Sequence, residues 1–124
     1  VSDIMATLAD YFSVEFPDNS AEDSVSFLPA LRGESFERAP VVHCSIEGQL
    51  GIRKGDWKLI QMKKGFELYN LKADPKETEN LYSSHPEIAE DMRNIVERYI
   101  KEGRSTAGAA QPIEENKILS AWLK

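Results

Sequence analysis

The chain has 124 residues, a net charge of −6, 41% hydrophobic residues and one cysteine. That length suits a single domain with its own core, and a lone Cys44 excludes an internal disulfide or a multi-cysteine zinc site. No apolar run approaches the roughly 20 residues that span a bilayer, and no basic start followed by an apolar stretch marks a secretory leader, so no membrane partner is expected for this piece.

The charge is unevenly spread. Residues 1–50 carry nine acids against Arg32 and Arg38, whereas residues 51–124 carry thirteen bases against twelve acids. Within the second part Arg53, Lys54, Lys58, Lys63 and Lys64 face only Asp56, a local basic patch on an acidic body. Such a patch suits a small anionic ligand or an acidic protein face. A nucleic-acid duplex calls for a broad basic surface and is not expected as a partner.

The chain opens on Val1 and enters a helical pattern almost at once, which predicts a region of a longer polypeptide. Ile4, Met5, Leu8, Ala9 and Phe12 repeat at helical spacing, so a helix from Ser2 to Phe12 is expected to turn one stripe toward a core, with Ser2 and Asp3 as caps. VEFPDNSAED then reads as loop. A short helix follows at Ser26 to Leu31, ended by Gly33.

Val41 to Ile46 is a β-type run, and Gln49 to Arg53 is a second, with Glu47-Gly48 as the turn between them. Gly55-Asp56 leads to a third run, Trp57 to Met62, and Lys64-Gly65 to a fourth, Phe66 to Tyr69. Connections this short make neighbours antiparallel, because parallel pairing needs a crossover of roughly a dozen residues, so a meander is predicted. In the third run Trp57 and Leu59 point to one face while Ile60 and Met62 share the other with Lys58. A sheet wet on one side alternates more cleanly than this, so both faces are expected to be covered.

One cover lies downstream. Ser84-His85-Pro86-Glu87 fits a capping box with Pro in the first turn, and Ile88, Met92, Ile95, Val96 and Tyr99 form an apolar stripe closed by Gly103. This amphipathic helix should lie on one sheet face. The tail begins loose and ends with Ile118, Leu119, Ala121, Trp122 and Leu123 clustered. The predicted fold class is α+β: a four-stranded antiparallel sheet packed against a C-terminal amphipathic helix, with an N-terminal helix.

No complete active site emerges from the residues. Cys44 needs a base within reach to act as a nucleophile, but His43 is its strand neighbour and points to the opposite face, so a buried structural thiol is the expectation. His43, near the Glu47-Gly48 turn, could bind an anion or be a hydrogen-bonded structural histidine, and His85 reads as a first-turn residue. Asp74, Glu77 and Glu79 invite a calcium reading, yet their spacing is not that of an EF-hand and Asp74-Pro75 signals a turn. In that turn Asn80 would cap backbone while Leu81 and Tyr82 pin it to the core. Arg53, Lys54 and Lys58 could hold a sulfate, phosphate or carboxylate, or lie along apolar surface with their charges in water.

The segments GIRKGDWKLI, ELYNLKADPKETENL, HPEIAEDM and GRST, with DIMATLADYF and EDSVSFLPALRG ahead of them, resemble in order the C-terminal region of type I sulfatases, sulfuric ester hydrolases of the alkaline phosphatase superfamily. The resemblance runs from about Asp3 to Gly108. It implies that residues 1–36 are a helix and linker leading out of a catalytic domain, that residues 37–108 are the C-terminal subdomain, and that residues 109–124 are a tail. The partners it implies are an N-terminal sulfatase catalytic domain and, through the parent enzyme, a sulfated substrate.

The family's chemistry uses a formylglycine made in a Cys/Ser-x-Pro/Ala-x-Arg motif and a divalent metal, usually calcium. The resemblance places both upstream of this chain. Cys44 is followed by Ser45, Ile46, Glu47 and Gly48, which lacks that motif, so no catalytic residue and no metal ligand are carried over and the isolated chain is expected to be inactive. The resemblance implies that the segment 43–49 can approach the active-site mouth of the parent enzyme, which makes His43, Ser45 and Gln49 the candidate substrate-side residues. Two departures stand out: Ala6 replaces a frequent Pro, and Cys44 stands where a polar residue often follows the histidine. The compartment is open from the residues alone; the resemblance implies a periplasmic or secreted parent. The alternative reading is a non-enzymatic module binding sulfated or anionic saccharide through the basic hairpin and Trp57. If the first helix and one sheet face rest on another domain, the isolated chain should expose a contiguous apolar patch and self-associate.

Overall fold

A computed structural model describes residues 2–46, 48–113 and 122 of the chain. Its elements are helix α1 (Ile4–Phe12), the short helix α2 (Leu28–Leu31), strands β1 (Val41–Cys44), β2 (Leu50–Lys54), β3 (Trp57–Met62) and β4 (Gly65–Asn70), and helix α3 (Pro86–Glu102). The strands form one antiparallel sheet in the order β1-β2-β3-β4, the predicted meander. Of the predicted β1–β2 turn, Gly48 is observed at φ 82° with its N–H on the Ser45 carbonyl, while Glu47 lies outside the described residues.

Register sorts the sheet into two faces. Val42, Ile52, Leu59 and Leu68 stand opposite one another across the four strands, and this row meets Ala89, Met92, Val96 and Ile100 of α3 in the core. Those helix positions recur at three- and four-residue intervals, the spacing that keeps side chains on one stripe. Ile52, Leu59, Leu68, Met92 and Val96 are fully buried, each contributing about 1.5–3 kcal/mol of transfer free energy. Gly103 ends α3 with φ 64°, a left-handed cap that glycine adopts without a Cβ clash. Trp122, read in the sequence as part of the tail, is also fully buried here and packs edge-on against Phe66. The rest of the predicted tail cluster, Ile118, Leu119, Ala121 and Leu123, lies outside the described residues.

Two local expectations are corrected. The capping box before α3 does not form: Pro86 occupies the first helical turn, His85 is the cap residue without a side-chain cap bond, and Ser84 Oγ donates to the Leu81 carbonyl instead. The proline shifts the helix start so that Ser84 lies one position too early to cap. The second correction concerns α1. Ile4, Met5, Leu8 and Phe12 face no core among the described residues but stand exposed, and the residue α1 buries is Thr7.

The polar side of α1 is what holds it. Thr7 Oγ1 donates to the Asp3 carbonyl at 2.7 Å and accepts from the Phe27 N–H at 3.1 Å. Ala6 N–H, one of the helix's unpaired amino-terminal donors, is capped by Ser24 Oγ at 3.0 Å. Asp3 makes no cap bond to its own helix. Its carboxylate accepts from Val25 N–H and from two nitrogens of Arg38, at 2.8–3.0 Å.

Candidate functional site

The β1–β2 hairpin carries the three candidate side chains, and the structure brings two of them together at its end. Ser45 N–H donates to the Gln49 carbonyl at 2.8 Å, Gln49 N–H donates to Ser45 Oγ at 3.1 Å, and the hydroxyl lies 3.3 Å from Gln49 Oε1. Ile46 at the same tip is fully exposed. Ser45 and Gln49 thus close the hairpin, and their side-chain groups shape its rim.

His43 stands apart from this pair, on the sheet face away from α3. It pairs in register with Gly51, and the row continues through Ile60 and Glu67, while Val41, Arg53, Lys58 and Tyr69 form the adjacent row on the same face. The histidine is exposed, but one side of its ring rests on the buried Gly51, where a Cβ would come within 2.6 Å of Nε2. Burial against the sheet, and next the Lys58 and Arg53 cations, hold its pKa below the ordinary histidine value, with Glu77 pulling the other way. At neutral pH the imidazole is therefore uncharged, able to donate from one nitrogen and accept at the other.

The neighbours of His43 are tied to one another. Lys58 Nζ reaches Glu77 Oε1 at 2.7 Å, and Tyr69 donates its hydroxyl to Glu67 Oε2 at 2.8 Å. Tyr69 is buried, and burial followed by that bond to a carboxylate pushes its pKa up to about 12. Arg53 Nη2 donates to the Gly55 carbonyl at 3.1 Å, while its Nε is buried without a partner among the described residues. Lys54 pairs with Asp91 of α3. Of the basic hairpin read from the sequence, Lys54 and Lys58 are thus engaged by carboxylates.

Cys44, expected to be a buried thiol, is instead exposed: it stands at the end of edge strand β1, beyond the reach of α3, and donates to the Ser45 carbonyl at 3.3 Å. Its register partner is Leu50, on the side of the sheet opposite His43, as strand alternation requires. His85 is no longer a bystander: its ring lies 5.3 Å from that of Trp57, and Nδ1 is 3.5 Å from Glu87. The groove beside Trp57 is lined by Glu37, Asp56, Glu87 and Asp91 together with Lys54, and Lys72 lies 3.9 Å from Asp56.

Asp74 organises the turn after β4. It accepts from the backbone of Thr78 and Glu79 at 2.6 and 2.9 Å and from the Thr78 hydroxyl at 3.1 Å. Asn80 Oδ1 accepts from Leu68 and Tyr82 N–H, capping the outer edge of β4. No three His, Cys, Asp or Glu side chains among the described residues converge so as to hold a metal ion.

The residue sequence reasoning undervalued is Arg104, inside the GRST segment. It is 5% exposed, and its guanidinium donates to the carbonyls of Asp18, Thr106 and Ala109, to Asp18 Oδ1 and to Thr106 Oγ1. Asp18 Oδ2 in turn accepts from Ala109 N–H at 2.8 Å. Beside it Ser105 N–H reaches Asp23 Oδ1 and Thr106 N–H reaches the Glu22 carbonyl. The loop after α3 is thereby fastened to the segment that carries α1.

No family model matches the chain. An alignment of 112 residues covering 77% of the chain gives 31% identity to an N-acetylgalactosamine-6-O-sulfatase of Bacteroides thetaiotaomicron, of which it spans 22%. A solved structure described under the metabolism of multiple glycosaminoglycans by the same organism superposes with TM-score 0.71 at 29% identity, over 77% of this chain and 24% of that one. A 2-O GAG sulfatase superposes with TM-score 0.62, also at 29% identity, over 89% of this chain and 27% of that one. The chain thus spans about a quarter of the length of these relatives. By sequence and by fold it is homologous to the sulfatases, as a region consistent with their C-terminal part.

Proposed function

We propose that this chain serves as the C-terminal subdomain of a sulfuric ester hydrolase, bracing a catalytic domain and lining part of its substrate cleft. The observation that carries this reading is the likeness of most of the chain to about a quarter of a sulfatase. Residues 37–108 would form the subdomain, residues 1–36 the helix and linker from the catalytic domain, and residues 109–124 a tail. In this reading the formylglycine and the divalent metal belong to the catalytic domain, and the parent is periplasmic or secreted. The substrate class is the sulfated saccharide named for the relatives.

The chain's own contribution would be contact and orientation. His43, uncharged at neutral pH, could accept from a sugar hydroxyl or donate to a sulfate oxygen, and Ser45 and Gln49 at the hairpin rim offer further hydrogen-bonding groups. A rigid strand pair is a suitable support, since misplacing such groups by about 1 Å loses rate.

The test compares hydrolysis of an aryl sulfate and of sulfated N-acetylgalactosamine by the full polypeptide carrying this sequence and by the 124-residue chain alone. Turnover by the first and none by the second is expected. Activity in the isolated chain overturns the assignment.

A further inference from the structure

Glu77 holds a backbone conformation that suits glycine. Its φ is 56°, in the left-handed region where a side chain costs about 1–2 kcal/mol. The turn around it maintains that conformation. Glu77 N–H donates to the Asp74 carbonyl at 3.2 Å, and the Asp74 carboxylate takes the next two backbone N–H groups and the Thr78 hydroxyl. Upstream, Asn70 Oδ1 accepts from the N–H groups of Lys72 and Ala73. None of these bonds uses the Glu77 side chain, so glycine would serve the turn with less strain.

The side chain reaches the sheet instead. Glu77 Oε1 lies 2.7 Å from Lys58 Nζ, and the lysine and glutamate side chains are 20% and 32% exposed, whereas the Lys54–Asp91 and Lys72–Asp56 pairs stand about half in water or more. Lys58 belongs to the His43 face, in the row of Val41, Arg53 and Tyr69, and its charge and that of Glu77 both act on the imidazole, in opposite directions. Arg53, the other cation of that row, turns its guanidinium to Gly55, at the end of β2 away from the Ser45–Gln49 rim. Glu67 holds the Tyr69 hydroxyl, and α3 packs on the opposite face. Lys58 sits on a flexible four-carbon stem. The Glu77 carboxylate is what fixes its ammonium and balances its charge beside His43.

We propose that Glu77 is a specificity-determining residue on the substrate side of the parent enzyme: by holding Lys58 it leaves a charge-balanced patch beside His43, which selects a saccharide with a single sulfate ester over one that carries a further anionic group at this position. The inference rests on the reading of His43 as a substrate-side residue of a sulfatase. A freed Lys58 would pair with any sulfate or carboxylate within its reach, so the carboxylate that occupies it acts against the more highly charged saccharide. Contacts of that kind, to a part of the saccharide remote from the scissile ester, bind ground state and transition state alike. They lower KM without raising kcat.

The test uses the full polypeptide carrying this sequence in three variants: Glu77→Gln, which keeps the shape and removes the charge; Glu77→Gly, which also relieves the backbone; and Glu77→Gln combined with Lys58→Met. The substrates are sulfated N-acetylgalactosamine and the same sugar joined to glucuronic acid, which adds one carboxylate. In both single variants kcat/KM for the conjugate, relative to the single sugar, should rise about fivefold at low salt, through KM and not kcat. Salt at about 0.5 M should erase that gain, and Lys58→Met should reverse it. Proton NMR titration of the 124-residue chain should find the His43 pKa lower in Glu77→Gln than in the unsubstituted chain, and higher again in the double variant. An unchanged preference in either single variant overturns the inference, as does a gain that Lys58→Met leaves in place or a His43 pKa that Glu77→Gln does not move. Failure of the sulfatase reading looks different: the unsubstituted polypeptide then turns over neither substrate. In that case calorimetric Kd values for the two saccharides decide the inference by the same pattern across the variants, and its absence overturns it.

Discussion

The imidazole of His43 lies on Gly51, and a Cβ at that glycine would stand 2.6 Å from Nε2 and 2.9 Å from Cε1. The glycine is what lets a histidine lie close to the sheet. Gly51→Ala should therefore lift the ring away from the strand. The displaced group is the end of an exposed side chain, so the stability change should stay within about 1 kcal/mol. Away from the sheet the imidazole loses the burial that lowers its pKa, and proton NMR titration should find that pKa higher in the alanine variant. An unchanged titration would show that the glycine has no part in seating the ring.

The same histidine gives the fold a pH dependence of definite sign. Its folded pKa lies below the ordinary 6.5, so between the two values the unfolded chain binds the proton more readily. Stability from this group is complete above about pH 6.5 and falls as the pH drops through the folded pKa. Lys58→Met removes one of the cations that disfavour the imidazolium, so the folded pKa should rise and that loss should flatten. Urea titrations at pH 7.5 and at pH 5.5, run on both proteins, check the difference.

Arg104 and Gly108 are matched in the same way as the histidine and its glycine. Gly108 has φ 145°, and a Cβ there would lie 2.2 Å from Arg104 Nη1. Arg104→Ala strands the carbonyls of Asp18, Thr106 and Ala109, and the expected loss is about 3 kcal/mol. Gly108→Ala should also destabilise, through both the contact and the backbone. Thermal melts measure either. In exchange experiments, residues 17–24 should lose protection before β3 does, because the latch joins that segment to the loop after α3.

What could be read in advance follows from how local the cause is. Trp57–Met62 was found at its observed limits, and α3 ended at Gly103, because alternation, helical spacing and a left-handed cap are written within a few neighbouring residues. The turn at Asp74 and the cap at Asn80 were legible for the same reason. Arg104 was not, since its carboxylate partner Asp18 lies 86 positions away. Periodicity marked the stripe on α1 correctly but is silent about which side of a helix its own chain will occupy. That choice fell to Asp3, Thr7 and Asp10, polar residues whose partners come from a loop. At the candidate site, sequence placed His43 near Ser45 and Gln49, while the sheet register put it beside Gly51, Arg53 and Lys58.

Acid should loosen the contacts that hold α1 before it reaches the core. In Asp3 burial raises the carboxyl pKa, but the Arg38 bonds and the Val25 N–H outweigh it, and the net value is lowered. In Asp18 the Ala109 N–H is the leading cause of a lowered value, with Arg104 assisting. Carboxyls depressed on folding contribute stability that is present above the ordinary 3.8 and lost as pH falls below it. Exchange of the α1 amides measured from pH 5 down to pH 3 should accelerate beyond the intrinsic pH trend, while Leu59 and Met92 stay protected. Loss of both together would mean that α1 and the core unfold as one unit.

Trp122 tests whether the last part of the chain belongs to the same core as the sheet. The indole is fully buried against Phe66, within the cluster that includes Leu68 and Met92, and its Nε1 has no partner among the described residues. Trp122→Ala removes a large buried volume and should destabilise by about 3–5 kcal/mol. Trp122→Phe also loses volume, but it removes a buried donor without a hydrogen bond, a group whose desolvation costs about 1–3 kcal/mol. The phenylalanine variant should therefore lie much nearer the parent than the alanine variant in urea denaturation. If both lose the same stability, the indole N–H has a partner in solution; if neither loses any, Trp122 does not hold the core shut.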